Sequence, residues 1–575
     1  MKKATASFLL FTIFLCLSST KLSAGANETT YKFWVELKDK TGTPYSILKP
    51  WDFLSERSLA RRRKNGFSIC IQDLPVSPVY VNSVKEMGLK VLLTSRWMNA
   101  ILVQTKDSLL AATLSKTNYV KKVTLMGYWS RSRSAAGFDP ETTGQFESMD
   151  YFGTGHIDAK NQANPEEYND GYGMGWDQVK MSNTQVLHKR GFRGKGVWIA
   201  VLDAGFYQAN VLGAFDSLRA NNQIIGSADF VDRDGNVYND DDHGTHVLGC
   251  MAANVPGIMV GTAPDASYLL LRTEDARSEF PSEEAQWLAG AEYADSMGVD
   301  LISSSLGYTE FDKSEFGHTY AELNGHTALI TLAANMAYER GIIMVNSAGN
   351  EGDGEWGKIG APADAVGVIA VAAVDKDGIR AGFSSMGPTY DKRMKPDLAA
   401  MGKKAIIAGT SGYFYGSNGT SYSAPILAGS IASFFQMFST KTASEIRSLV
   451  CMSAKNYLQP DSFLGFGIPD FELAIKLSEN TQVGGTSSNP FYTWPTLDTL
   501  HADFELKTNV NPVKKYYYEL KSDGYSAVSS GVISKQESLV YITRLRFKKK
   551  GWYRIRITDD IKIWERKIYF EPKKD

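Results

Sequence analysis

The stretch GVWIAVLD, residues 196–203, decides the fold class of the chain. It is a short, continuous apolar run that ends on an aspartate, and it lacks the periodicity of a surface helix. Four similar runs follow it, separated by longer helical patterns. These runs are SYLLLRTE (267–274), VDLISSSLG (299–307), GIIMVNSAGN (341–350) and GVIAVAAVD (367–375). Strands that are apolar on both faces and alternate with helices predict an α/β domain, in which a central parallel sheet carries helices on both faces.

The ends of these runs carry polar residues of interest. In an open parallel sheet, chemistry gathers at the C-terminal ends of the strands. Asp203, Ser305 and Asn350 fall at such ends. A further polar cluster, NGTSYSAP (418–425), stands directly before a long apolar helical pattern. The sequence therefore predicts a site where these strand ends meet the start of that helix.

Composition limits the classes of function. A chain of 575 residues with 43% hydrophobic and 22% charged residues is typical of a soluble globular protein with several domains. A formal net charge of −1 argues against nucleic acid or a membrane surface as the main partner. After the N-terminal segment, no stretch is long and apolar enough to span a membrane. Cys70, Cys250 and Cys451 are too few for a disulfide framework, and the last two lie in apolar helical patterns.

The first 26 residues have the pattern of a secretion signal. Lys2 and Lys3 precede an apolar run over 8–17, and small residues lead to Ala26. We expect cleavage after Ala26 and a mature protein that is extracellular, periplasmic or associated with the cell envelope. Cys16 suggests a lipid-anchored alternative, which the bulky leucine before it disfavours.

The rest of the chain divides by composition. Residues 27–130 read as a compact α+β unit, and 131–175 as a polar, Gly-rich linker or processing segment. The α/β domain covers 176–478, and 479–490 is a second linker. Residues 491–575 alternate polar with aromatic or β-branched residues, which predicts a small antiparallel, sandwich-like β-domain.

Three residue types in this chain match the parts needed for acyl transfer by a serine. Such chemistry needs a hydroxyl nucleophile, a base and a carboxylate that orients the base. Asp203 ends a buried strand, His243 begins a helix, and Ser421 lies at a strand-to-helix turn. Alone, each is more often a cap or turn residue, but together they occur in a workable Asp-His-Ser order. The alternative of an α/β-hydrolase requires a G-x-S-x-G turn, which is absent here. Asn350 and the Ser421 N–H are candidate donors to the oxyanion.

The motifs around these residues resemble the subtilisin-like serine peptidase family, the subtilases. The resemblance covers about residues 171–477 and rests on six motifs. They are AVLDAG (200–205), HGTHVLG (243–249), SSSLG (303–307), SAGNEG (347–352), VIAVAAVD with FSSMGP (368–375 and 383–388), and GTSYSAP (419–425). The resemblance implies a triad of Asp203, His243 and Ser421, with Asn350 in the oxyanion hole and His246 structural.

The resemblance also implies how substrate binds. Ser305, Leu306 and Gly307 match the strand that pairs with the substrate backbone. Gly360 matches the floor of the pocket for the residue before the scissile bond, where a glycine suggests room for a sizeable apolar side chain. The α+β unit is then an inhibitory, folding-assisting propeptide, removed by self-cleavage somewhere within 128–175.

Two features depart from the family pattern. Ala204 replaces the usual Thr or Ser, which removes a hydroxyl that supports the catalytic carboxylate. Residues 307–327 are longer than the usual connection and are either a surface loop or a flap over the cleft.

No cofactor is expected for catalysis. Asp232, Asp234 and Asn236 have the spacing of a calcium loop, but His243 stands at the twelfth position, where such loops need Glu. We therefore expect a solvated acidic loop there and no metal ligands. Structural calcium elsewhere is compatible with the family, and the sequence does not locate it.

The sequence thus predicts a secreted serine endopeptidase that acts on protein or peptide substrates and has its own propeptide as an intramolecular inhibitor. One alternative is a non-catalytic binding protein on the same scaffold, in which the β-domain does the work. Another is a dedicated processing protease that cuts one partner instead of degrading many proteins.

Overall fold

The computed structural model describes residues 28–131, 171–457 and 459–480, and beyond these the backbone of strands between residues 499 and 570. The predicted signal segment (1–26) lies outside the described residues. So do most of the two predicted linkers, 131–175 and 479–490.

The N-terminal unit is an antiparallel sheet with three helices, two of which pack on one face of the sheet. Its strands are β1 (Glu28–Leu37), β2 (Lys90–Ser95), β3 (Ala100–Thr105) and β4 (Val120–Arg131), and its helices are α1 (Glu56–Asn65), α2 (Pro78–Glu86) and α3 (Leu110–Leu114). The sheet order is β2-β3-β1-β4. Because side chains alternate along a strand, Ile101 and Val103 face Val84 of α2 and Leu114 of α3, whereas Leu102 faces the opposite side.

A parallel sheet forms the centre of the molecule. Between residues 171 and 417 the described strands are β5 (Trp198–Asp203), β6 (Ile224–Asp229), β7 (Asn254–Val255), β8 (Met259–Val260), β9 (Ser267–Arg272), β10 (Leu301–Ser304), β11 (Ile343–Ser347), β12 (Val368–Val374), β13 (Leu398–Met401), β14 (Ala405–Ala408) and β15 (Phe414–Ser417). Seven of them form one parallel sheet in the order β13-β12-β11-β10-β5-β9-β6. The apolar run 196–203 contains β5, which lies in the interior of this sheet.

Helices cover both faces of the sheet. They are α4 (Trp176–Lys180), α5 (Thr184–Lys189), α6 (Asp216–Ala220), α7 (His243–Ala252), α8 (Ser282–Met297), α9 (Leu329–Glu339), α10 (Thr420–Met437), α11 (Ala443–Met452) and α12 (Phe471–Asn480). Ile199 and Val201 of β5 share a core with α7 and α10, whereas Ala200 and Leu202 share one with α8 and α9. The predicted α/β class with helices on both faces is therefore confirmed.

Helix α8 is buried on both sides, because the N-terminal sheet packs on its outer face. Trp34, Leu93 and Trp97 of that sheet belong to the same apolar core as Trp287 and Leu288 of α8. Such burial fits the sequence of α8, which carries small or apolar residues around most of its circumference.

A network of buried charges also joins the N-terminal unit to α8. Asp295 is fully buried and accepts hydrogen bonds from Arg61, from Arg62 Nη2 at 2.6 Å and from Arg96 Nη2 at 2.6 Å. Glu292 accepts hydrogen bonds from Ser95 Oγ at 2.5 Å and from the backbone N–H groups of Arg96 and Trp97 at 2.9 and 3.1 Å. Asp295 and Glu292, two of the buried carboxylates on α8, are thus matched by donors from the N-terminal unit.

The C-terminal strands are β16 (Thr499–Leu500), β17 (Phe504–Thr508), β18 (Tyr516–Ser522), β19 (Ala527–Ile533), β20 (Tyr541–Leu545), β21 (Gly551–Thr558) and β22 (Ile563–Phe570). They form a five-stranded sheet, β16-β22-β21-β18-β19, and a two-stranded sheet, β17-β20. The pairs are antiparallel as predicted, except that β16 and β22 run parallel. Across the part of the chain that the structure describes, no helix combines the length and the apolar character needed to cross a membrane.

Candidate active site

The C-terminal ends of β5, β10 and β11 meet the first turns of α7 and α10 around a cleft. The predicted site residues that line it are His243, Ser305, Leu306, Gly307, Asn350, Gly360 and Ser421. Asp203 is buried directly behind His243. The structure therefore brings every residue predicted for the site to one place.

Asp203 and His243 are in direct contact. Asp203 Oδ1 accepts a hydrogen bond from His243 Nδ1 at 2.7 Å and one from the backbone N–H of Ala204 at 2.9 Å. Since a carboxylate only accepts, Nδ1 carries the proton of the neutral imidazole, and Nε2 then has the lone pair. Asp203 Oδ2 is buried and has no partner among the described residues. The methyl group of Ala204 thus leaves one carboxylate oxygen without the hydroxyl donor that a Ser or Thr offers.

Gly244 permits the close approach of α7 to β5. A Cβ atom at this position would lie 2.3 Å from the carbonyl oxygen of Gly205 and 3.0 Å from Cβ of Asp203. Any larger residue would therefore push the start of α7 away from the carboxylate. The His243 backbone N–H is fixed in addition by Asp241 Oδ1, at 2.8 Å.

The charge of Asp203 changes the basicity of His243. Burial by itself would lower the pKa of this imidazole, because it disfavours the charged form. The Asp203 carboxylate outweighs burial, with smaller contributions from Glu274 and Asp241, and the pKa of His243 is raised from 6.5 to about 9.

Ser421 lies in the first turn of α10, where backbone N–H groups have no partner within the helix. Its hydroxyl donates to the carbonyl oxygen of Ser305 at 3.4 Å, and Ser305 Oγ donates to the Ser421 carbonyl at 2.8 Å. These two bonds tie the end of β10 to the start of α10. The hydroxyl is turned toward Ser305, and no hydrogen bond joins it to His243.

Asn350 follows β11, and its side-chain amide is held in one orientation. Its Oδ1 accepts hydrogen bonds from both the backbone N–H and the hydroxyl of Thr420, each at 2.9 Å. Since the oxygen is occupied, the NH₂ group is the free donor at the cleft. Gly349, at φ +107°, supplies the backbone turn that puts Asn350 there. Thr420 thus fixes which face of the Asn350 amide points into the cleft.

A buried side chain of β11 supports residues 305–307, the segment predicted to pair with substrate. Asn346, fully buried in β11, donates from Nδ2 to the Leu306 carbonyl at 2.9 Å. Sequence reasoning missed this residue, although a polar Asn inside the apolar run of β11 was a visible signal. On the other side, Tyr308 pairs with Ala361, directly after Gly360. A Cβ at Gly360 would lie 3.1 Å from Thr309 Cγ2, so a glycine keeps these two segments close.

Comparison with known proteins places this geometry in a family. Residues 194–467 match the model of the subtilase family. Subtilisin NAT of Bacillus subtilis subsp. natto is 33% identical over 315 residues, which cover 54% of this chain and 73% of that protein. The chain belongs to the subtilase family. Residues 32–137 match the peptidase S8 propeptide domain of Bacteroidota.

Other relatives agree with this identification. Subtilisin of Bacillus pumilus is 32% identical over 307 residues, which cover 52% of this chain and 98% of that protein. The major intracellular serine protease of Bacillus subtilis (strain 168) is 30% identical over 321 residues, with 52% and 91% covered. This subtilase is thus a serine-type endopeptidase with an N-terminal propeptide domain, as the motifs predict.

In this subtilase, the residues that have the spacing of a calcium loop make hydrogen bonds within the protein. Asp232 accepts hydrogen bonds from Arg272 Nη1 and Arg277 Nη2, each at 2.8 Å. Asp234 and Asn236 accept from backbone N–H groups of their own loop. Across the described ranges, His, Cys, Asp and Glu side chains form no group of three or more that could hold a metal ion.

The long loop of the subtilase over residues 307–327 touches both the cleft and the propeptide domain. Gly307 and Thr309 line the cleft. Further along, Glu315 accepts a hydrogen bond from Tyr128 Oη at 3.0 Å, and Phe316 packs edge-on against the Tyr128 ring. Tyr128 lies near the end of β4. The loop therefore contacts the last strand of the propeptide domain, close to where that strand ends.

Proposed function

We propose that this subtilase is made as an exported zymogen, and that Asp203, His243, Ser421 and Asn350 carry out its peptide hydrolysis. The observation that carries the assignment is the 2.7 Å contact between His243 Nδ1 and a buried carboxylate, in the same cleft as Ser421 and Asn350. A carboxylate that fixes the proton on Nδ1 leaves Nε2 free to act as a base.

In the proposed reaction, the Ser421 hydroxyl turns from the Ser305 carbonyl toward His243 and attacks the substrate carbonyl. His243 Nε2 takes the hydroxyl proton and passes it to the leaving amine. This forms an acyl-enzyme on Ser421 Oγ, and water then releases the acyl group by the same steps in reverse. The oxyanion accepts hydrogen bonds from Asn350 Nδ2 and the Ser421 backbone N–H. The reaction uses no cofactor.

Substrate binding follows from the same elements. We propose that Ser305, Leu306 and Gly307 pair with the substrate backbone, since this segment leaves the end of β10 and faces the cleft. Gly360 then forms the floor of the pocket for the side chain before the scissile bond. The absence of a side chain on Gly360 supports an open pocket there.

The propeptide domain is proposed to inhibit the enzyme until self-cleavage removes it. We place the propeptide at 27–130, the processing site within 128–175, the peptidase domain at 176–478 and the β-domain at 491–575. The contact of Tyr128 with the loop over 307–327 supports this, because it holds the end of β4 against a loop whose first residues line the cleft. Export by the signal over 1–26 would place the mature enzyme outside the cytoplasm.

Activity is expected to rise with pH through an inflection above 6.5. His243 acts as a base only when neutral, and the Asp203 carboxylate raises its pKa to about 9. Below that pH the imidazole is protonated and cannot accept the Ser421 proton. The pH profile of kcat/KM for the processed enzyme measures this, and an inflection at or below 6.5 would contradict the electrostatics described for the pair.

The substitution Thr420→Val is expected to lower kcat by about tenfold with little change in KM. It removes one of the two hydrogen bonds that orient Asn350 and leaves the backbone one. The loss should be smaller than the roughly 10²–10³-fold that removal of a whole oxyanion donor causes. Thr420→Ser, which keeps the hydroxyl, is the matched control. Equal activity of the valine and serine variants would show that the side-chain bond does not position Asn350.

A fluorophosphonate that modifies activated serines tests the proposed function. The processed enzyme should hydrolyse an unfolded protein substrate, and stoichiometric modification should abolish that hydrolysis. Hydrolysis that persists after complete modification would assign the chemistry to other residues.

A further inference from the structure

One wall of the cleft is acidic, and its position follows from the strand order. Strand β9 lies on the opposite side of β5 from β10 and β11. Glu274 follows the end of β9, so it lies beyond Asp203 and His243, away from Asn350. Glu274 and Glu279 both line the cleft. They form the wall that faces His243, whereas Asn350 and Gly360 belong to the opposite side.

The charges that line the cleft are unbalanced. Four carboxyl side chains line it, those of Asp241, Glu274, Glu279 and Glu351, against a single lysine, Lys358. Lys358 is engaged elsewhere, because its Nζ donates to the carbonyl oxygen of Gly387 at 3.0 Å. Carboxyl groups thus outnumber basic side chains along the cleft, even with His243 counted.

The neighbours of Glu274 and Glu279 are paired, but these two residues are not. Asp275 is paired with Arg277, at 2.6 Å. Glu283 accepts hydrogen bonds from the backbone N–H groups of Asp275 and Phe280, at 3.1 and 2.9 Å. The side chains of Glu274 and Glu279 make no hydrogen bond or ion pair with any described residue. An unpaired carboxylate in a partly buried site is unfavourable. A ligand is able to supply the partner that both side chains lack.

Burial changes the pKa of both carboxyl groups. It raises the pKa of Glu274 to about 8, against the attraction of His243, and that of Glu279 to about 7, with a further contribution from Asp312. A cation placed between them would stabilise the ionised forms.

The propeptide domain already places a cation beside this wall. Lys32 of β1 is half-buried, donates from Nζ to Ser282 Oγ at 3.3 Å, and is attracted by Asp275 and Glu283. The segment between Glu274 and Glu283 is thus in contact with a basic side chain while the propeptide is bound.

We propose that Glu274, assisted by Glu279, is an acidic subsite that selects polypeptides with a Lys or Arg side chain close to the scissile bond, on the side of the cleft that faces His243. The inference rests on the proposed function, because it takes the cleft to be the substrate site. The basic side chain of the substrate supplies the partner that both glutamates lack.

Cleavage of paired peptides by the processed enzyme tests this. Each pair should differ only in one position near the scissile bond, lysine in one peptide and norleucine in the other. For wild type, we expect kcat/KM for the best lysine position to exceed that of its norleucine partner at least tenfold. Glu274→Gln should reduce this ratio to near one. Glu355→Gln makes the same charge change at an exposed glutamate outside the cleft lining, and should keep the wild-type ratio.

The ratio does not depend on the amount of active enzyme, so partial misfolding of a variant does not disturb it. A wild-type ratio near one at every position, or an unchanged ratio in Glu274→Gln, would overturn the inference. Labelling of the same wild-type sample with a fluorophosphonate separates the two proposals. A sample that labels on Ser421 but shows no basic preference contradicts only the subsite, whereas a sample that does not label contradicts the proposed function.

Discussion

Replacement of Ser421 by Ala is expected to lower kcat by about 10⁶-fold, the loss that a subtilisin shows when its catalytic serine is removed. The hydroxyl that attacks the substrate is lost, and no other side chain in the proposed site replaces it. Self-cleavage should fail as well, so that the purified protein keeps its propeptide. Hydrolysis of a fluorogenic peptide and the mass of the purified chain measure the two effects.

Ser423→Ala is the matched control for this substitution. Ser423 lies two residues further along α10, is fully buried and donates to the Thr420 carbonyl at 3.0 Å. Its loss should leave processing intact and activity within about tenfold of wild type, the size of one net hydrogen bond. A Ser421→Ala protein that still matures by itself would contradict the assignment of the nucleophile.

Replacement of Asp295 by Asn is expected to destabilise the zymogen by about 3–5 kcal/mol, the range found when one partner of a buried ion pair is removed. Asp295 is fully buried and pairs with Arg61, Arg62 and Arg96 of the propeptide domain. Without it, Asp73 is the remaining carboxylate in contact with Arg62, and Asp73 is shared with Arg340. Three buried arginines would then share too little negative charge.

Urea unfolding of the Ser421→Ala zymogen, with and without Asp295→Asn, measures this loss. The Ser421→Ala background keeps the propeptide attached during the experiment. Asp377→Asn is the control, because Asp377 pairs with Lys376 on the surface and such pairs contribute little. A change below about 1 kcal/mol for Asp295→Asn would show that the network does not hold the propeptide domain in place.

Much of the peptidase domain could be predicted because its strands are short and apolar on both faces. The run over 196–203 contains β5, the run over 341–350 contains β11, and Asp203 and Asn350 lie at the strand ends where they were expected. The local sequence pattern suffices here, because a strand that is buried on both faces is a continuous apolar run without alternating polar residues.

Contacts between residues far apart in sequence were beyond the same reasoning. Arg61 and Arg62 lie in α1, and nothing in the local sequence shows that their partner is Asp295, more than 200 residues away. Glu274 was quoted as the end of an apolar run and given no role. Its significance depends on the order of strands in the sheet, which periodicity does not specify.

The geometry around Ser421 also differs from what motif reasoning suggests. A triad implies a hydrogen bond between nucleophile and base, but here the hydroxyl donates to Ser305 at 3.4 Å. Catalytic hydrogen bonds often form only when substrate is bound. The direction of a single hydroxyl is set by its immediate surroundings, which a motif does not describe.

The most direct test of the proposed mechanism is to locate a fluorophosphonate adduct by peptide mass spectrometry of the labelled, processed enzyme. A single adduct on Ser421, formed faster as pH rises toward 9 and absent after heat denaturation, is the predicted result. An adduct on Ser423, Ser305 or Thr420 in its place, or no adduct on an enzyme that still cleaves peptides, would contradict the assignment of Ser421 as the nucleophile.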